Sequence, residues 1–216
     1  MLKGFRNKIR GYIPYTNWWL VWRALDKSAE TILDLGCGTG KPMQFINRSK
    51  RFYTVGVDGF QPSFDICRRE KSHDVLCVGD LRNLHYAEKT FDVVLCLQAL
   101  EHLEREDGDR LLRNMIDIAC KQVIVTTDVG EFTQSASGGN TLQEHKYIWG
   151  IEELRALGFQ VYGIGLKGWG GEDGYSQRIP EPFRWIIGTG LQVILGPIMY
   201  RHPQWANAVL CVRNNE

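Results

Sequence analysis

The run Ile32-Leu33-Asp34-Leu35-Gly36-Cys37-Gly38-Thr39-Gly40-Lys41-Pro42 carries the densest chemistry in this chain. An apolar strand enters three glycines at alternate positions, and a helical segment follows. Glycines in such a turn permit positive φ and bring the backbone close to a ligand, while a helix start offers N–H donors. The spacing is GxGxG and not the GxGxxG of dinucleotide sites, with Lys41 where that fingerprint has its third glycine. Nor is it a GxxxxGK[ST] phosphate loop, because Pro42 stands at the hydroxyl position.

Further polar groups recur at strand ends. Val55-Gly56-Val57-Asp58 closes on a carboxylate, with Gly59 next. An acid at that point can accept both hydroxyls of a ribose, and it can equally cap the following helix. Val78-Gly79-Asp80-Leu81 repeats the pattern, and Phe91–Leu97 runs into Gln98-Ala99-Leu100-Glu101-His102. Four successive strands thus deliver Asp34, Asp58, Asp80 and Gln98 toward one edge, where open α/β sheets bind ligands.

The elements that must position these groups follow from periodicity. Strands are expected at Thr31–Leu35, Tyr53–Val57, Val75–Val78, Phe91–Leu97, Gln122–Thr127, Phe159–Leu166 and Ala206–Val212. The clearest helix is Arg105–Ala119, with Leu111, Leu112, Met115, Ile116 and Ala119 on one face. Strands alternating with helices predict βαβ units and a sheet covered on both faces. Residues 1–27, with Trp18, Trp19 and Trp22, read as a helical cap on the sheet, and 28–166 as a ligand-binding core. A turn-rich segment (168–174) and an amphipathic run, Phe183–Tyr200, form an insertion over 167–205 that returns to a last strand. The whole reads as one domain.

Composition bounds the rest. At 216 residues, 44% hydrophobic and 24% charged, the chain is globular. A net charge of +1 gives no chain-wide field for nucleic acid, although Lys3, Arg6, Lys8 and Arg10 cluster at the start. The six cysteines form no CxxC pair and no zinc spacing, so reduced thiols in a cytoplasmic protein and no metal are expected. Glycines and Pro197 interrupt Phe183–Tyr200, which reads as a helix against a core or at a surface and not as a membrane span. Together with the basic start it would suit an anionic or lipid-linked partner at a membrane surface, though membrane contact is not the expectation.

Taken together, residues 30–130 resemble the class I S-adenosylmethionine-dependent methyltransferases. The resemblance implies a Rossmann-like doubly wound α/β sheet of seven strands, mostly parallel with the last antiparallel, and helices on both faces. It implies S-adenosylmethionine as cofactor, held by Asp34, Gly36, Cys37, Gly38 and Gly40 at the methionine portion. Asp58 and Gly59 would take the ribose, Asp80 and Leu81 the adenine, and Gln98 the wall near the sulfonium. The tail around Glu144–Leu154 is loosely similar to members linked to polysaccharide or glycolipid synthesis, so a small-molecule or saccharide-like acceptor is expected. A hydroxyl acceptor needs a base, and His145, in the loop after the fifth strand, is the candidate, ahead of His102 and Asp128. His102 beside Glu101 reads as a structural pair. Two rival readings are a catalytically silent binding protein of the same fold and, against the glycine spacing, a nucleotide-cofactor oxidoreductase.

Overall fold

The computed structural model describes residues 11–84, 86–129, 144–169 and 174–215. The basic cluster at Lys3–Arg10 and part of the 168–174 turn lie outside the described residues.

Seven strands form one sheet: β1 (Thr31–Leu35), β2 (Tyr53–Asp58), β3 (Val75–Val78), β4 (Phe91–Leu97), β5 (Ala119–Asp128), β6 (Gln160–Ile164) and β7 (Ala208–Asn214). Their order is β3-β2-β1-β4-β5-β7-β6. Strands β1 to β5 pair in parallel, and β7 runs antiparallel to both β5 and β6. The expected sheet is therefore the observed one. Around it lie α1 (Asn17–Ala24), α2 (Lys41–Ile46), α3 (Gln61–Arg69), α4 (Arg105–Ile118), α5 (Ile151–Ala156) and α6 (Phe183–Arg201).

Alternation along each strand sorts side chains to two cores. Leu33, Leu35, Val94 and Cys96 pack with Leu111, Leu112 and Met115 of α4 and with Trp149 and Leu154. The intervening Ile32, Val93, Leu95 and Ile124 pack on the other face with Leu20 and Val21 of α1 and Met43 and Ile46 of α2. Each such side chain contributes about 1.5–3 kcal/mol on leaving water, so the central strands are the most secure platform in the fold.

Boundaries depart from expectation where tertiary pairing overrides local pattern. β5 begins at Ala119, directly after α4, because Phe91 of β4 pairs with Ala119. β7 starts at Ala208 and continues to Asn214, drawn out by pairing with Gln122 of β5. In α6 the apolar stripe read from the sequence is largely exposed: Ile194 is 72% and Ile186 55% accessible. Of that stripe Leu191, Leu195 and Met199 turn inward, with Met199 and the neighbouring Gly196 buried. No helix among the described residues is long and apolar enough to cross a membrane.

The chain moves outward from β1 through β2 to β3, then returns to place β4 on the other side of β1. That reversal opens a crevice above the C-terminal ends of β1 and β4, and the residues following both strands face it.

Candidate functional site

The glycine turn after β1 folds against β2. Gly36 and Cys37 both donate their backbone N–H to the Val57 carbonyl (2.8 and 3.0 Å), and Gly40 donates to the Cys37 carbonyl (2.9 Å). Gly38 donates to Asp58 Oδ2 at 2.8 Å. These amides are thus spent inside the protein, and what the turn offers a ligand is close approach. A Cβ built at Gly38 would meet nothing within 4 Å, and its φ is +53°. One at Gly40 (φ +73°) would collide with Ser72 Oγ at 2.0 Å.

A cleft of about 680 Å³ lies above the turn, within the size range of small-molecule sites. Of the residues singled out in the sequence, Gly36, Cys37, Gly38, Asp58, Gly59, Asp80, Leu81 and Gln98 line it. Asp58 accepts from Gly38 with one oxygen and from the Phe60 N–H with the other (2.7 Å). Desolvation raises its pKa, and those two backbone donors work against the rise. Phe60, not Asp58, is the residue that caps α3. Asp80 is chelated by the Arg82 guanidinium and accepts the Arg82 N–H, which hold its pKa down.

Asp34 and Gly40 do not line the cleft among the described residues. Asp34 is 2% exposed beneath the turn, its Oδ2 3.0 Å from His73 Nε2. His73 Nδ1 faces Ser72 Oγ at 2.9 Å and Cys67 Sγ at 3.4 Å. Burial works against the His73 imidazolium, but its bonds to Asp34 and Cys67 prevail and raise its pKa to about 9. The network sits directly under Gly40 and fixes the turn from below.

The candidate base is placed differently from its neighbours. His145 stands behind Asp128, Nε2 to Oδ2 4.0 Å, with its ring 5.1 Å from that of His102. His145 lines neither this cleft nor the second cavity described next, whereas His102 and Lys146 line the cleft. Burial raises the pKa of Asp128, and the same cause raises that of Glu101 to about 8. Glu101 Oε2 accepts from Thr127 Oγ1 at 3.0 Å, and the Glu101 carbonyl receives the Lys146 and Tyr147 N–H groups. The Glu101–His102 segment is therefore bonded to the chain on either side of His145, while His102 also faces the cleft.

Two features escaped the sequence reading. Gln98 has φ +53° and turns its side chain between two spaces. The second space, about 200 Å³, is bounded by α1, α6 and the turn after β6, and Gln98 and Asp128 form part of its wall. Nothing local in the sequence signals it, because its wall is assembled from segments far apart in the chain. Trp18, Trp19 and Trp22 line neither space; Trp18 and Trp19 pack on the core, and Arg48 covers the Trp22 ring. Two side-chain groups bring three potential ligand atoms within 4.8 Å of one another: Cys37, Cys67 and His73, and Glu101, His102 and His145. Within these groups Cys67, His73, Glu101 and His102 also form hydrogen bonds inside the protein.

A mostly parallel sheet of this order, with a glycine turn and a carboxylate flanking its switch point, defines a Rossmann-like α/β fold. Residues 32–121 match the methyltransferase-domain family. Among curated proteins, one from Methanocaldococcus jannaschii is 29% identical over 60% of this chain and 55% of its own length. The Arabidopsis thaliana tRNA (carboxymethyluridine(34)-5-O)-methyltransferase is 35% identical over 37% of this chain and 19% of its own length. The chain thus spans about half, or far less, of these relatives. A Haloferax volcanii structure, a complex of the Trm112 methyltransferase activator and a putative methyltransferase, gives a TM-score of 0.62 at 17% identity, covering 96% of this chain and 91% of that one. A SAM-dependent methyltransferase from Archaeoglobus fulgidus gives 0.56 at 18%, covering 99% and 94%.

Proposed function

We propose that the protein transfers a methyl group from S-adenosylmethionine to a small-molecule or saccharide-like acceptor. The observation that carries this reading is the continuity at Gln98: one residue lines both a cofactor-sized cleft and a smaller cavity beside it. The residues present fit the cofactor, because the space over Gly38 is open and Asp58 keeps lone pairs free toward the cleft. When bound, the cofactor supplies an electrophilic methyl on a cationic sulfur that leaves as a neutral thioether.

In this reading Gly36, Cys37 and Gly38 admit the methionine portion, Asp58 and Gly59 hold the ribose, and Asp80 and Leu81 face the adenine. Asp34 and Gly40 act from beneath the turn. Alignment and exclusion of water supply most of the catalysis. Asp128 is on the wall of the smaller cavity and takes the proton of a hydroxyl acceptor, with His145 behind it as the positioning group. Residues 28–166 serve as the cofactor core and 167–205 as the acceptor cap. Six free thiols suit a cytoplasmic setting.

Calorimetry with S-adenosylhomocysteine tests the reading. Binding is expected, and Asp58→Ala should weaken it by about 1–3 kcal/mol through loss of charged hydrogen bonds. NADH should give no heat of binding. A wild-type protein that ignores S-adenosylhomocysteine removes the assignment.

A further inference from the structure

The second cavity has a chemical character of its own. Its volume is about 200 Å³. An apolar protein cavity of about 150 Å³ accepts benzene, so this one holds a single ring with a few substituents. A polymer chain does not fit within it.

The wall is divided. Leu191, Leu195 and Met199 of α6, with Trp169, make an apolar side. Asn17, Gln98, Asp128 and Asn207 make a polar side. Among the described residues of the wall there is one acid, Asp128, and no lysine, arginine or histidine. Asn17 donates from Nδ2 to Thr126 Oγ1 (3.3 Å), while its buried Oδ1 has no partner. Gln98 hydrogen-bonds Asp128, and burial works against that carboxylate's charge. Among the described residues of the wall, the buried side-chain atom left without a partner is therefore an acceptor, the Asn17 amide oxygen, and the charged group is the Asp128 carboxylate, itself an acceptor. A buried acceptor left unpaired costs free energy, so the ligand that fits best brings hydrogen-bond donors. An anionic ligand would meet Asp128 across a partly desolvated space with no cation among the described wall residues to offset it.

We propose that this cavity takes a single-ring acceptor that is neutral or positively charged and presents hydroxyl or amine hydrogens along one edge. Phosphorylated and carboxylated acceptors are selected against. That the ligand is a methyl acceptor rests on the function proposed above; the charge and size preference of the cavity does not. His145 Nε2, 4.0 Å from Asp128 Oδ2, lies behind the carboxylate and not on the wall.

Three near-isosteric probes isolate the preference: tyrosol (neutral), tyramine (cationic) and 4-hydroxyphenylacetate (anionic). Each is titrated by saturation-transfer NMR into the protein with and without S-adenosylhomocysteine. Tyrosol and tyramine should bind at least about tenfold tighter than 4-hydroxyphenylacetate. Asp128→Asn, an isosteric change, should shrink the tyramine to 4-hydroxyphenylacetate ratio to below about threefold. Equal or tighter binding of the anion overturns the proposal, as does a ratio that survives Asp128→Asn or the failure of all three probes to bind. The two readings separate cleanly. Probes that bind a protein deaf to S-adenosylhomocysteine uphold the cavity's preference and remove methyl transfer, and the converse removes the preference alone.

Discussion

At the scale of single residues, the site holds protons that an unfolded chain would release. Glu101 is buried against Thr127 and its pKa rises to about 8, while His73, bonded to Asp34, rises to about 9. Both folded values exceed the unfolded ones, so folding takes up protons at each group. The stability Glu101 allows is fully present below its unfolded pKa and is lost as pH climbs toward 8. That from His73 is present below its unfolded value and is lost as pH passes 9. The wild-type melting temperature should therefore decline from pH 5 to pH 9. Glu101→Gln keeps an oxygen for Thr127 and carries no charge. It should flatten the decline between pH 5 and 8, leave the His73 limb in place, and raise the melting temperature at pH 8. Thermal denaturation at several pH values checks this; a slope unchanged by Glu101→Gln would show that Glu101 does not govern it.

At the scale of elements, the glycine turn shows what a sequence can and cannot disclose. The seven strands and eight of the ten residues expected to hold the cofactor, which line the cleft, were legible because each depends on a short local pattern at a strand or its end, whereas the antiparallel last strand came with the family resemblance. The burial of Asp34 was not, since its partner His73 is 39 residues away and no spacing links them. The exposure of the α6 stripe was likewise hidden: periodicity identifies an apolar face but not whether another element covers it. Local pattern also treats the glycines alike, whereas their surroundings differ. Gly40→Ala adds a methyl against Ser72 and Cys67 at positive φ, so it should cost more than about 2 kcal/mol of folding stability. Gly38→Ala carries only the backbone strain, about 1–2 kcal/mol, and projects its methyl into the cleft. Denaturant titration beside calorimetry should find Gly38→Ala the milder in stability and severe in loss of S-adenosylhomocysteine affinity. The opposite ranking would place the cofactor elsewhere than over Gly38.

At the scale of the whole molecule, the two spaces draw on different parts of the chain. The large cleft is walled by residues at and after the ends of β1 to β4 and by Lys146, and none of the described residues of 167–205 lines it. The small cavity takes most of its wall from α1, the turn after β6, α6 and the approach to β7. On the proposed function, binding of cofactor and choice of acceptor are thereby separable, with Gln98 lining both spaces. Leu191→Trp tests that separation, since the larger side chain fills the small cavity from α6 without reaching the cleft wall. Overpacking of this kind costs about 1–3 kcal/mol, which a seven-stranded core can absorb. Calorimetry should find S-adenosylhomocysteine affinity within about twofold of wild type, because no residue of the cleft wall changes. The same variant should lose tyrosol and tyramine binding. If Leu191→Trp weakens the cofactor analogue as strongly as the ring probes, the two spaces act as one site, and the cap over 167–205 contributes to both.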